Sequence, residues 1–348
     1  MTEPIVSIVI PNKNRSDELV ETLTSVQGQT FNRFQCIVVD DNSTDDFEQR
    51  VAPFRSDPRF VFVRQKPGRG GAPAARNDGA TLASGEFLIW LDSDDLLAPF
   101  CLENRLRIMQ SNPELDFAVF PCELFRRTPG DTALLWNADT GENDLDRFLR
   151  HDVPWQTTGP IWRKASLSKV GPWDEQARSA QDWEFHVRAV LQGLRYQRFG
   201  PVDFYWRMAS AERSSIGKAA AIDKEYHRAR LELYRRILQR VRAAGAMNED
   251  RRKCFAGMYF TAVETIAKKV NRREARRLWR SAIQDAVVSR AEYYQGLWLL
   301  WNMRWERRYQ RLRSALQGKW PGQYFLPRSP TFMKTPAPRR EKQLAEVG

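Results

Sequence analysis

Several features that would assign a class at once are missing from this sequence. No stretch approaches about 18 consecutive apolar residues, so no membrane-spanning helix is expected. Met1 to Ile10 has no basic start followed by a long apolar core, so no signal peptide is expected and the cytoplasm is the default compartment. Cysteine is scarce: Cys36, Cys101, Cys122 and Cys254 are the only four in 348 residues. They form no close pair and no metal-ligand spacing, which argues against a disulfide framework and fits a reducing compartment. The three histidines, His151, His186 and His227, are too dispersed to suggest a zinc centre. No internal repeat period is visible. Gly68 to Pro73 is glycine-rich but lacks the Gly-Lys-Ser/Thr ending of a phosphate-binding loop, which counts against a nucleoside triphosphatase.

What is present begins with charge. Hydrophobic residues make up 42% and charged residues 28%, so the bulk of the chain is expected to fold. Residues 1–218 carry 26 Lys/Arg and 31 Asp/Glu, a balance of −5, whereas residues 219–348 carry 29 and 12, a balance of +17. A mildly acidic front and a strongly basic back suggest two tasks, the second with an anionic partner.

The front alternates short apolar runs with helical patterns. Val6–Ile10, Cys36–Val39, Phe60–Val63, Phe87–Leu91 and Asp116–Phe120 read as strands. Ser16-Asp17-Glu18 opens a helix with Leu19, Val20, Leu23 and Val26 on one side, and Ala74–Ala83 reads as another. Apolar strands separated by helices predict an α/β, mostly parallel sheet with helices on both faces, whose ligands bind beyond the carboxyl ends of the strands. Polar clusters follow three of those ends: Pro11 to Arg15, Asp40 to Ser43 and Asp92 to Asp95. From about Ala219 the pattern is helical, with stripes at Leu231/Tyr234/Leu238/Val241, at Phe255/Tyr259/Val263/Ile266 and at Leu278/Ile283/Val287. Tyr293 to Leu316 mixes Trp298, Trp301 and Trp305 with arginines, and prolines crowd residues 319–348.

Asp92-Ser93-Asp94-Asp95 places three carboxylates within four positions after an apolar strand. Taken alone it fits a solvated helix start as well as a site for a hard cation such as Mg²⁺ or Mn²⁺. Asp40-Asp41 fits a turn, or an acceptor for a nucleobase imide or a ribose hydroxyl. Arg76, one turn into its helix, is within reach of either a diphosphate or a strand-end acid.

Together these segments resemble family 2 glycosyltransferases. The resemblance rests on Val6 to Arg15, Gln29-Thr30-Phe31, Val38 to Asp45, Ala75-Arg76-Asn77 with Gly79, Gly85-Glu86-Phe87 and Leu91 to Asp95. Thr158 to Arg163, Val170 to Glu175 and Gln181-Asp182-Trp183-Glu184 continue it in order, so that it covers roughly residues 4–216. It implies a GT-A fold and an inverting transfer of a sugar from a nucleotide-diphosphate sugar to a hydroxyl of a glycan or glycolipid acceptor. It also implies Mg²⁺ or Mn²⁺ on the diphosphate. Carried over, Pro11, Asn14, Asp40, Asp41 and Arg76 lie at the nucleotide, Asp92 at the ribose or metal shell, Asp94 on the metal, and Asp182 is the general base. Lys13 stands where the family usually carries an aromatic residue, and Gln181 where it usually carries a glutamate. Three readings compete: the transferase, a non-catalytic scaffold built on a degenerate transferase domain, and a sugar-phosphate nucleotidyltransferase. Pro11-Asn12-Lys13-Asn14 lacks the glycines the last of these requires.

The implied organisation is a transferase domain over 1–218, with a nucleotide half to about 115 and an acceptor half over 116–218. A basic helical region over 219–318 and a Pro-rich tail follow. The basic region, with its tryptophans, suggests docking to an anionic membrane surface, so that the protein is cytoplasmic and peripheral to the inner face of the membrane. Nucleic acid is disfavoured because no binding motif accompanies the charge.

Overall fold

Seven consecutive buried residues, Val6–Asn12, form β1 at the middle of a sheet. In the computed structural model, which describes residues 3–66, 68–136, 139–208 and 224–303, β1 runs parallel to both β2 (Phe34–Asp40) and β4 (Phe87–Trp90). The seven-stranded sheet has the order β10-β6-β9-β4-β1-β2-β3, with β3 at Phe60–Arg64, β6 at Phe117–Val119, β9 at Pro160–Arg163 and β10 at Tyr196–Arg198. Only β9 runs against its neighbours, β4 and β6. A smaller sheet joins β5 (Leu96–Leu97), β11 (Phe204–Arg207), β7 (Cys122–Phe125) and β8 (Leu134–Trp136).

The apolar runs are continuous because both faces of the sheet are covered, and side chains alternate between two cores. Val6, Ile8 and Ile10 join Cys36, Val38 and Ile89 under α1 (Ser16–Gln27) and α4 (Cys101–Ser111). Val9 joins Ile37, Val39, Leu88 and Trp90 under α3 (Ala72–Leu82) and α7 (Gln181–Leu191). Helix α3 lies close on β1 because Gly79 has no side chain: a Cβ there would fall 2.3 Å from Val9 Cγ1. The remaining short helices of the front are α2 (Phe47–Val51), α5 (Asp144–Leu149) and α6 (Leu167–Val170).

The structure extends the expected first strand through Pro11 to Asn12. A parallel pairing to β2 continues there, and Pro11 sits opposite Val39. It also adds β5 and β7–β11, whose runs of two to four residues are too short for periodicity to detect. All four cysteines are free and buried, and burial pushes their thiols up.

Four helices follow: α8 (Lys224–Ala243), α9 (Glu249–Lys269), α10 (Arg272–Gln284) and α11 (Arg290–Asn302). The first two anticipated stripes are fully buried, from Leu231 to Val241 and from Phe255 to Ile266; of the third, Val287 is buried while Leu278 and Ile283 are partly so. These helices pack on α5 and α7 and share their core, so those two helices and the described helices that follow form one body of apolar contacts. Arg236 pairs with Asp174 at 2.6 Å and Arg251 with Asp146 at 2.6 Å across that junction. Among the described residues no helix is long and apolar enough to cross a membrane. The sequence readings on residues 209–216, 304–318 and 319–348 lie outside the described residues.

Candidate active site

The carboxyl ends of β1, β2 and β4 sit side by side, which gathers Asn12, Asp40 and Asp92 on one edge of the sheet. The loops after β1 and β2 are laced together. The Asn12 amide donates to Asp40 Oδ1 at 3.2 Å and to Ser43 Oγ at 3.3 Å. Asp40 is completely buried, and its Oδ2 accepts from the Ser43 N–H at 3.0 Å and from Arg64 Nε at 3.2 Å. Asn14 adopts a left-handed backbone, donates its N–H to Ser43 Oγ at 2.8 Å and accepts from the Thr44 N–H at 2.7 Å. Asp40 and Asn14 therefore hold the two loops in shape, and Pro11 is buried beside them.

Asp41 points the other way. Its Oδ2 accepts from Lys13 Nζ at 3.0 Å and from the Gly71 N–H at 2.9 Å, tying the loops after β1 and β2 to the start of α3. Lys13, at the position where an aromatic residue was expected, is thus the ion-pair partner of Asp41.

Asp92, Asp94 and Asp95 have three different environments. Asp95 is fully buried and braces the loop: Gln156 Nε2 donates to it at 3.2 Å, Thr158 Oγ1 at 3.1 Å and the Arg207 N–H at 3.2 Å. Burial drives its carboxyl well above the usual range, and Asp94 and Asp92 add to the rise. Thr158 is in turn held by Arg105, whose guanidinium donates to the Thr158 carbonyl at 2.9 Å and pairs with buried Asp203 at 2.7 Å. Asp94 pairs with Arg15, the residue at the start of α1. Burial raises its carboxyl despite that partner. From β11, Arg207 donates to the Asp94 carbonyl at 2.9 Å and pairs with Glu21 at 2.6 Å, clamping the acidic loop onto α1.

Arg76 connects the two halves. Buried in α3, it donates to Asp92 Oδ1 at 2.7 Å and to Gln181 Oε1 at 3.1 Å, and its guanidinium lies 4.5 Å from the centre of the Trp173 ring. Asp92 is the strand-end acid that the sequence offered as one partner for Arg76. Gln181 opens α7 and immediately precedes Asp182. The residue before them, Ala180, is in a left-handed conformation (φ 50°) that alanine rarely adopts, a strain held by its surroundings. Burial raises the Asp182 carboxyl, nearby Asp92 raises it further, and the N–H groups at the helix start oppose both.

Trp162, Trp173 and Trp183 are all buried packing residues. Trp183 donates its indole N–H to the Phe148 carbonyl at 2.6 Å and stacks on His151, with Tyr234 of α8 edge-on 5.8 Å away. His186 is likewise a core residue and His151 is half-buried; burial depresses both, His186 to about 3. Sequence reasoning missed Arg15, Arg105, Thr158 and Arg207 as members of the site. Arg15 and Thr158 lie within expected motifs, but nothing in the sequence pairs the arginines with their acids.

Among the described residues no group of three His, Cys, Asp or Glu side chains could hold a metal ion. Asp92 and Asp94 each engage a guanidinium through one oxygen, and their side chains remain 29% and 23% exposed. Two hard carboxylates fit a cation that completes its shell with phosphate and water, since Mg²⁺ and Mn²⁺ sites need few protein ligands.

Residues 7–168 match the family model for glycosyl transferase family 2. An uncharacterized glycosyltransferase of Haemophilus influenzae is 29% identical over 188 residues, 54% of this chain and 63% of the relative. The chain thus spans less than two thirds of that relative's length. A PGL/p-HBAD biosynthesis glycosyltransferase of Mycobacterium bovis is 28% identical over 203 residues, 57% of this chain and 75% of its own. Among solved structures, residues 1–349 of TarS from S. aureus, crystallised with UDP-GlcNAc, superpose with a TM-score of 0.65 at 20% identity. They cover 90% of this chain and 93% of that one. The fold is therefore of the GT-A type.

Proposed function

We propose that this protein, whose residues 7–168 match the family model for glycosyl transferase family 2, moves a sugar from a nucleotide-diphosphate donor to a hydroxyl of a glycan or glycolipid acceptor, inverting the anomeric configuration. The observation that carries this reading is the Arg76 bridge, which links strand-end Asp92 to Gln181 beside Asp182.

The acceptor hydroxyl must lose its proton as it attacks the anomeric carbon from the face opposite the departing diphosphate. Asp182 takes that proton as general base. Its raised affinity for protons, caused by burial, makes it a better base than an exposed carboxylate. Asp92 and Asp94 are the residues to hold Mg²⁺ or Mn²⁺. When bound, such an ion neutralises charge on the leaving diphosphate as a Lewis acid. Arg15, the ion-pair partner of Asp94, is a further cation for the diphosphate. Asp41, through Lys13 and the Gly71 N–H, shapes the loop on the nucleotide side.

The test is Asp182→Asn assayed against a panel of UDP-, GDP-, dTDP- and CDP-sugars, with donor binding measured by calorimetry. Removing a general base costs about 10²–10⁴-fold in turnover, so kcat should fall in that range while donor affinity is retained. Turnover within tenfold of wild type would remove Asp182 from the role.

A further inference from the structure

Helix α10 segregates its side chains by charge. Ala275, Trp279 and Ala282, at i, i+4 and i+7, are buried. Arg272, Arg273, Arg276, Arg277 and Arg280 are exposed, and none has a carboxylate within ion-pair distance among the described residues. Other arginines of the helical region are spent on the fold: Arg228 pairs with Glu274, Arg235 with Asp285 and Arg252 with Glu292.

Helix α11 lies directly against α10. The Trp279 indole N–H donates to the Tyr293 carbonyl at 2.9 Å, and Gly296 approaches so closely that a Cβ would meet the Trp279 ring at 2.5 Å. With Leu299 and Leu300 turned inward, α11 presents Tyr294, Trp298 and Trp301 at 67%, 43% and 42% exposure. These positions, i, i+4 and i+7, fall on one side of the helix. Only five large apolar residues are exposed among those described, and three of them stand on this single helix of 13 residues. The sequence that follows adds Arg304, Arg307, Arg308, Arg311 and Arg313.

We propose that α10 and α11 form a docking surface for an anionic lipid bilayer. The five guanidinium groups engage lipid phosphates, and the rings of α11 settle at the boundary of headgroups and acyl chains, where tyrosine and tryptophan partition. Dense unpaired cations beside exposed amphipathic rings match both halves of such an interface. A nucleic acid would account for the charge, but no recognised binding motif accompanies it. The inference uses none of the strand-end carboxylates and stands independently of the transfer reaction.

The experiment is flotation of the full 348-residue chain with vesicles of phosphatidylcholine alone and of phosphatidylcholine with 30% phosphatidylglycerol, at low and high salt. Wild type should float with the anionic vesicles only and be released by salt. Each arginine near an anionic surface is worth about fivefold in partitioning, so Arg272→Gln/Arg276→Gln/Arg280→Gln should lose about 100-fold. Tyr294→Ser/Trp298→Ser should lose at least about tenfold, since interfacial binding scales with buried apolar area. All the altered side chains are exposed or half-exposed at the surface, and circular dichroism verifies that the variants fold. The proposal is overturned if wild type floats with neither vesicle or with both alike, or if either variant floats as wild type does. It is also overturned if a duplex DNA oligonucleotide competes the protein off the vesicles and binds the aromatic variant undiminished, which would assign the charge to nucleic acid.

Discussion

Replacing Arg76 with methionine keeps most of the buried stem and deletes the guanidinium that joins Asp92 to Gln181. Three interactions are lost: the charged hydrogen bond to Asp92 at 2.7 Å, the bond to Gln181 at 3.1 Å, and the contact with the Trp173 ring at 4.5 Å. A hydrogen bond to a charged group contributes about 1.5–3 kcal/mol, and a partly desolvated cation–π contact about 1 kcal/mol. Two effects reduce the cost. The Asp92 side chain is 29% exposed, so water partly replaces its partner. Arg76 Nε is buried without a hydrogen-bond partner, and its removal relieves a penalty of about 1 kcal/mol. The expected net destabilisation is about 2 kcal/mol. Urea unfolding should show a lowered midpoint with an unchanged slope. Arg76→Lys separates stability from catalysis: one ammonium can pair with Asp92 but lacks the planar fork needed to hold Gln181 as well. It should recover most of the stability while kcat stays depressed, because the start of α7 and Asp182 lose their tether. Wild-type stability in Arg76→Met, or full turnover in Arg76→Lys, would refute the bridge.

Asp94→Asn should abolish Mn²⁺-dependent donor binding in calorimetry while leaving the unfolding midpoint nearly unchanged; metal-dependent binding that survives would take Asp94 off the metal. Asp182 acts as a base only when ionised, and burial raises its carboxyl. The acid limb of kcat should therefore lie above the ordinary aspartate range and disappear in Asp182→Asn; a limb at the ordinary position would contradict the raised carboxyl. His186 is held neutral, pushed down to about 3 by burial with Arg76 and Arg188 adding to it, so its contribution to stability is complete above the unfolded value of about 6.5 and declines as pH falls toward 3. Between pH 6.5 and 4.5 wild type should lose about 2 kcal/mol more than His186→Leu in parallel urea titrations; equal losses would show that the ring is not kept neutral. Gly79→Ala forces a methyl to within 2.3 Å of Val9 Cγ1 and should cost about 1–3 kcal/mol, with Ala80→Gly as the nearby control.

Much of this protein was written in local sequence. The strands over Val6–Ile10, Cys36–Val39, Phe60–Val63 and Phe87–Leu91 were legible because each is a continuous apolar run bounded by polar residues, the mark of strands buried on both faces. The helical stripes from Leu231 to Val241 and from Phe255 to Ile266 were legible for the same reason, one period being matched by one buried side. The motif series, from Val6 through Gln181, carried the family resemblance and the GT-A fold. Tertiary structure decided what the polar residues do. Asp40, Asp94 and Asp95 look alike in the chain, yet one laces two loops, one faces Arg15 and one is an internal brace, because their partners come from β3, α1 and β11. Arg76 meets Asp92 and Gln181 across separations of 16 and 105 residues. Trp183 proved to be core because α8 closes over it. Periodicity records whether a side chain is buried; the partner of a charge depends on which strand ends lie together, and that is fixed only when the sheet assembles.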